Sequence, residues 1–143
     1  SCRLIMDVVL HLPVVPNVEL VAAKAVETVG GALGMHQTGI EAASVAIVEA
    51  CLNAMEHGGG QMVIRMSSEN PEGKSCLVIE VEDQGEGFDP AEAPRNSASR
   101  VHGCTSKRGW GLTLIRELMD EVQIRSNPGQ TLVRMRKYVE SAP

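Results

Sequence analysis

A chain of 143 residues, 43% apolar and 22% charged, is sized for one domain with its own core and has an ordinary globular composition. One residue each of Phe, Trp and Tyr, and thirteen basic against eighteen acidic residues (net charge −5), argue against a base-stacking or generally basic nucleic-acid binder. No apolar run approaches a membrane span and no leader pattern opens the chain; neither nucleic acid nor membrane is expected as a partner.

Residues 3–12 (RLIMDVVLHL) read as a strand stopped by Pro13 and Pro16. Asn17 is the expected N-cap of a helix carrying Leu20, Val21, Ala25 and Val29 and ending near Gly30-Gly31. Thr38 and Glu41 have capping-box spacing and open a second helix that runs to about His57, stopped by Gly58–Gly60. Residues 61–67 and 76–83 alternate as two strands of a hairpin around the turn residues Asn70 to Gly73. From Gln84 to about Arg108 no period is found, and a structureless stretch of that length reads as a functional lid. A third helix is expected over 111–120, with Leu112, Ile115, Leu118 and Met119 inward, then strands at 121–126 and 130–138 around Asn127-Pro128-Gly129. The fold class is α+β, a two-layer sandwich with helices on one face of a mixed sheet.

Four cysteines (Cys2, Cys51, Cys76, Cys104) form no C-x-x-C pair, which suits a reduced, cytoplasmic setting. Cys51 and Cys76 read as core residues, and His102-x-Cys104 lacks a second ligand pair to complete a metal site. The chain opens on Ser1 rather than Met, so processing or an upstream native start is expected.

Three segments could carry chemistry. On the second helix, Glu49, Asn53 and His57 stand four apart and form one stripe, flanked by Ala42, Ala46 and Ala50 whose small side chains leave room for a ligand. A carboxylate can accept a proton there, and an amide oxygen one turn on can coordinate Mg2+. At the exit of the strand expected over 76–83, Asp83-Gln84-Gly85-Glu86-Gly87 sets Asp83 on the face opposite Glu82, able to accept the exocyclic amine of adenine, with two glycines permitting close backbone approach. At Arg108-Gly109-Trp110-Gly111-Leu112, amides at a helix N-terminus would bind phosphate. Arg95, Arg100, Lys107 and Arg108, with no acid between Glu92 and Glu117, add local positive charge.

Together these segments resemble the GHKL (Bergerat-fold) ATPases, in particular the bacterial anti-sigma-factor serine/threonine kinase branch. The N-box is similar to Glu49-Ala-Cys-Leu-Asn53-Ala-Met-Glu-His57-Gly58, the G1 box to Asp83-Gln-Gly85-Glu-Gly87-Phe88-Asp89-Pro90, and the G2 box to Arg108-Gly109-Trp-Gly111-Leu112. Gly129-Gln-Thr131-Leu-Val-Arg-Met resembles the last hairpin of that branch. The resemblance implies a single ATP-binding domain over 1–143 with an ATP lid at about 89–108, and a mixed, mostly antiparallel sheet under three helices. It implies Glu49 as general base toward a protein Ser or Thr, Asn53 as ligand of Mg2+, and Asp83, Gly85 and Gly87 as the adenine pocket. Arg108, Gly109, Gly111 and Leu112 would meet the phosphates.

The implied function is phosphorylation of a STAS-type anti-anti-sigma antagonist and sequestration of a sigma factor, by a homodimer in which the N-terminal strand is a candidate edge. The alternatives are a non-catalytic ATP-sensing interaction module and the ATPase domain of a larger signalling protein, fused to a phosphatase or histidine kinase.

Overall fold

The computed structural model describes residues 7–57, 60–84 and 105–139, the side chains at positions 57 and 105–110 excepted. In chain order these form β1 (Asp7–Pro13), α1 (Glu19–Ala32), α2 (Gln37–His57), β2 (Gln61–Glu69), β3 (Cys76–Asp83), α3 (Thr105–Leu118), β4 (Glu121–Asn127) and β5 (Gln130–Tyr138). A 3-10 turn at Pro71–Gly73 joins β2 to β3, as the turn residues there imply.

The strands form one sheet in the order β1-β2-β3-β5-β4, and every pairing is antiparallel. The expected mixed sheet is thus antiparallel throughout the described strands. β3 and β4 run in the same direction, but the 127–129 hairpin folds β5 back between them, so no parallel pair forms. Gly129 takes φ 91° in that hairpin, a backbone conformation that glycine adopts without steric cost.

Alternation sends Met62, Ile64, Met66, Leu77, Ile79, Val81, Val133 and Met135 to one face of the sheet, where they meet Val26, Ala43, Ile47, Cys51 and Ile115 of the helices. α2 lies between α1 and α3 in this layer. Contrary to the expectation that no apolar run approaches a membrane span, Gln37–Glu56 is long and apolar enough by length and composition alone (mean hydropathy 1.2); here it is the central core helix. Cys51 and Cys76 are buried free thiols, as expected. Burial, with the Glu19 carboxylate adding to it, pushes the Cys51 thiol up to about 12 and keeps it protonated at neutral pH.

Several sequence expectations are corrected at the helix ends. Asn17 does not cap α1: it sits at φ 72°, a left-handed turn conformation that Asn tolerates, and Val18 takes the cap position with no side-chain cap bond. α1 continues through Gly30-Gly31 to Ala32, because the terminating glycine is Gly34 at φ 78°. The amides of Gly34 and Met35 donate to the carbonyls of Gly31 and Gly30, closing a Schellman motif. Gly30 serves packing instead, since a Cβ there would stand 3.0 Å from Ile40 Cγ1 of α2.

The inward row of α1 is Val18, Ala22, Val26 and Val29, whereas Leu20 and Val21 are 58% and 51% exposed. A helix apolar on two arcs leaves the buried one to be decided by its neighbours. At α2 the capping role passes from Thr38 to His36, whose Nδ1 accepts the Thr38 amide. α3 begins at Thr105, six residues before the expected start, because the polar run preceding Gly111 has no apolar period to announce a helix.

Candidate functional site

The strand register assembles a row that no single segment displays. Met62, Asp83, Thr131 and Ser126 are successive partners across β2, β3, β5 and β4. By alternation they share the helix-side face, and the row turns from apolar to polar at Asp83. Asp83 is 4% exposed and Thr131 2%, while Ser126 Oγ lies 3.1 Å from Thr131 Oγ1. Burying a carboxylate and the Thr131 hydroxyl beside Val81 and Val133 is costly unless they have partners, and the half-buried Ser126 is one of them. Polar groups held so at one end of an otherwise apolar layer are suited to receive a ligand's donors and acceptors.

The other expected site residues come from α2 and α3. Asn53 is buried at 5% exposure and Glu49 is half-buried, so their stripe is not a solvated helix face. Glu49 stands against α3, where a Cβ added at Gly111 would lie 3.3 Å from its Oε1. The glycine therefore makes room for the carboxylate. Ala46 and Ala50, expected to leave space for a ligand, are instead part of the core, where their small side chains permit close packing around α2.

Other expected site residues fall differently. Leu112 is a core side chain, so only its backbone is available to a ligand. Gly109, Gly111 and Leu112 lie past the first turn of α3, inside the helix's own hydrogen-bond ladder, rather than at its N-terminus. Gly85, Gly87, Gly58 and residues 89–104 of the expected lid lie outside the described residues, as do the side chains of Arg108 and His57 and the His102-Cys104 pair.

No group of three or more His, Cys, Asp or Glu among the described residues is placed to hold a metal ion. A Mg2+ here would rely on the Asn53 amide and on oxygens brought by a ligand, a donor set this ion accepts. Sequence reasoning assigned no role to Thr131 or Ser126. The available signal was a hydroxyl standing in phase with the inward residues of each strand: Thr131 with Val133 and Met135, and Ser126 with Val122 and Ile124.

Comparison with known proteins converges on one family. Residues 15–137 match the histidine kinase-like ATPase domain. The serine-protein kinase RsbW of Bacillus velezensis is 30% identical over 139 residues, covering 91% of this chain and 84% of that protein. The anti-sigma F factor of Thermoanaerobacter sp. is 31% identical over 97 residues, covering 67% of this chain and 68% of that protein. Among solved structures, the SiaB–SiaC complex of Pseudomonas aeruginosa aligns with TM-score 0.53 at 13% identity, over 96% of this chain and 91% of that one. The histidine kinase domain of the Erythrobacter litoralis EL346 blue-light activated kinase aligns with TM-score 0.51 at 17% identity, over 85% of this chain and 59% of that one. Both likenesses are of fold, in keeping with the α+β arrangement described above.

Proposed function

The chain belongs to the histidine kinase-like ATPase domain family, and we propose that it is an ATP-dependent protein serine/threonine kinase of the anti-sigma type. The observation that carries this reading is the Glu49 carboxylate held against Gly111, one helical turn from buried Asn53. In this reading Asp83 receives the adenine amino group, with Gly85 and Gly87 shaping the pocket around it. Asn53 holds Mg2+, and Arg108, Gly109, Gly111 and Leu112 form the phosphate end, the glycines contributing approach and Arg108 charge. Bound Mg-ATP supplies the transferable phosphoryl group and the charge neutralisation that the protein's few polar groups do not.

Glu49 takes the proton of a Ser or Thr hydroxyl on the partner, whose oxygen then forms the bond to the γ-phosphorus as the bond to the ADP oxygen breaks. Positioning and electrostatics account for most of the catalysis in such a transfer, so a sparse residue set suffices. The acceptor is a STAS-domain anti-anti-sigma protein in the cytoplasm, and a sigma factor is bound when the antagonist is absent. The relatives named as a serine-protein kinase and as an anti-sigma factor support this pairing of roles.

A homodimer is part of the same reading. β1 is a sheet edge, and beside it α1 presents Leu20 and Val21 over a groove of about 580 Å³ lined also by Val8, Ala25 and Val29. Exposed apolar surface next to an unpaired strand edge is suited to a second copy.

A second reading, ATP-dependent partner binding without transfer, is favoured by the engagement of the 109–112 amides within α3, which removes donors from the phosphate end. Single-turnover transfer from Mg-ATP to a cognate STAS protein separates the two. The kinase reading expects phosphorylated partner with the native chain and transfer at least about 100-fold slower with Glu49→Gln; nucleotide-dependent binding without phosphate on the partner overturns it.

A further inference from the structure

The Ser126–Thr131 pair has a consequence for which purine the site accepts. A hydroxyl has one proton and two lone pairs, so a hydrogen bond between two hydroxyls settles which of them still has a proton to offer elsewhere. Thr131 is the strand partner of Asp83, on the same face and almost fully buried, and Ser126 is 3.1 Å from it on the other side. If Thr131 donated to Ser126, it would present lone pairs beside the Asp83 carboxylate, two acceptors side by side. If Ser126 donates, Thr131 offers a proton beside that carboxylate. The pair then reads a donor next to an acceptor, which is the edge formed by the 6-amino group and N1 of adenine. Guanine presents the reverse order, a 6-oxo acceptor and an N1–H donor.

We propose that Ser126 is a positioning residue for purine selection: it donates to Thr131 Oγ1 and commits the Thr131 proton toward the ring nitrogen next to the amino group that Asp83 receives. The proposal rests on the nucleotide-binding reading given above and adds to it a residue on edge strand β4, separated from Asp83 by the whole of β5. It makes the 6-aminopurine preference a property of three side chains in a row, with Asp83 excluding a 6-oxo group and Ser126 keeping Thr131 in the complementary polarity.

The test is calorimetric binding by the full chain, using ATP, 1-deaza-ATP (N1 replaced by C–H) and GTP, with Ser126→Ala and Ser126→Thr as variants. Ser126→Ala is expected to weaken ATP by about 3- to 10-fold, the range for loss of one hydrogen bond, and to change 1-deaza-ATP by less than about twofold. The ATP-over-GTP preference narrows accordingly, and Ser126→Thr, which keeps the hydroxyl, restores it. An equal loss for ATP and 1-deaza-ATP would mean a packing effect and overturn the assignment, as would unchanged ATP affinity. Failure of the native chain to bind ATP at all would overturn the nucleotide reading itself, an outcome visible before any variant is compared.

Discussion

Glu82 and Asp83 are adjacent acidic residues at the end of one strand, and they meet opposite surroundings. Glu82 points to the open face of the sheet, where Arg65 Nη1 donates to it at 2.8 Å and Gln130 donates from the other side. A second charged network lies on the same face. Arg134 bonds Glu80 at 2.6 Å and Glu69 at 3.1 Å, Arg136 bonds Glu69 at 2.8 Å and Glu121 at 3.2 Å, and the Tyr138 hydroxyl donates to Glu121 at 2.7 Å. Cys76 and Val78, on the same face by alternation, are buried beneath these long side chains. Asp83 points the other way, into the apolar layer beside Thr131. Carboxylates on the open face are balanced by arginines across the strands, which is a structural use. On the helix side the Asp83 carboxylate is set at the margin of the core in one row with the Thr131 and Ser126 hydroxyls.

The contrast can be broken first at the proposed catalytic group. Glu49→Gln is expected to lower single-turnover phosphoryl transfer by at least about 100-fold, the usual scale for removing a general base, while calorimetric ATP affinity stays nearly unchanged. Asp83→Asn replaces the acceptor on the helix side and should weaken ATP by about 10- to 100-fold, the scale of a hydrogen bond to a charged group. Glu82→Gln, one residue away, should leave ATP affinity within about twofold of native. Equal effects of these two substitutions on ATP would abolish the distinction between the faces.

Gly111→Ala separates stability from activity. The added Cβ pushes on the flexible end of Glu49, so transfer should fall about tenfold as the carboxylate is displaced by a few tenths of an ångström. The same change removes a glycine from a helix interior and should raise the unfolding free energy by about 0.5–1 kcal/mol in a denaturant titration. A variant that loses both would place Gly111 in packing alone.

The smallest effect concerns acid. The Arg65 and Gln130 hydrogen bonds hold the Glu82 carboxyl below its ordinary value. A carboxyl depressed in the folded state contributes stability that is present above its unfolded pKa and lost as pH falls through the folded one. Denaturation curves should therefore lose stability on acidification below about pH 4.5, the ordinary carboxyl value. Arg65→Met should shrink the Glu82 part of that loss, by well under 1 kcal/mol because the pair is partly exposed. An identical acid limb in the variant would remove the pair from the account.

The elements, the fold class and the family were legible in the order of the amino acids. Alternation separated Glu82 from Asp83, helical spacing aligned Glu49 with Asn53, and the three boxes pointed to the ATPase family that residues 15–137 match. These are local signals, set by the period of a single strand or helix. Other local signals are ambiguous. Gly30, Gly31 and Gly34 are all plausible helix stops, and only the last is the positive-φ residue of the Schellman motif. Leu20 and Val21 form as good an apolar row as Ala22 and Val26, and which row faces inward depends on α2 and the sheet.

Contacts between segments distant in the chain come only from packing: Gly111 against Glu49, Gly30 against Ile40, and the row Asp83–Thr131–Ser126. The physical reason is register. A one-residue slip of β5 against β3 would turn Thr131 to the open face and leave every local pattern in the sequence intact, so the partner of Asp83 is settled only when the whole sheet closes over its core.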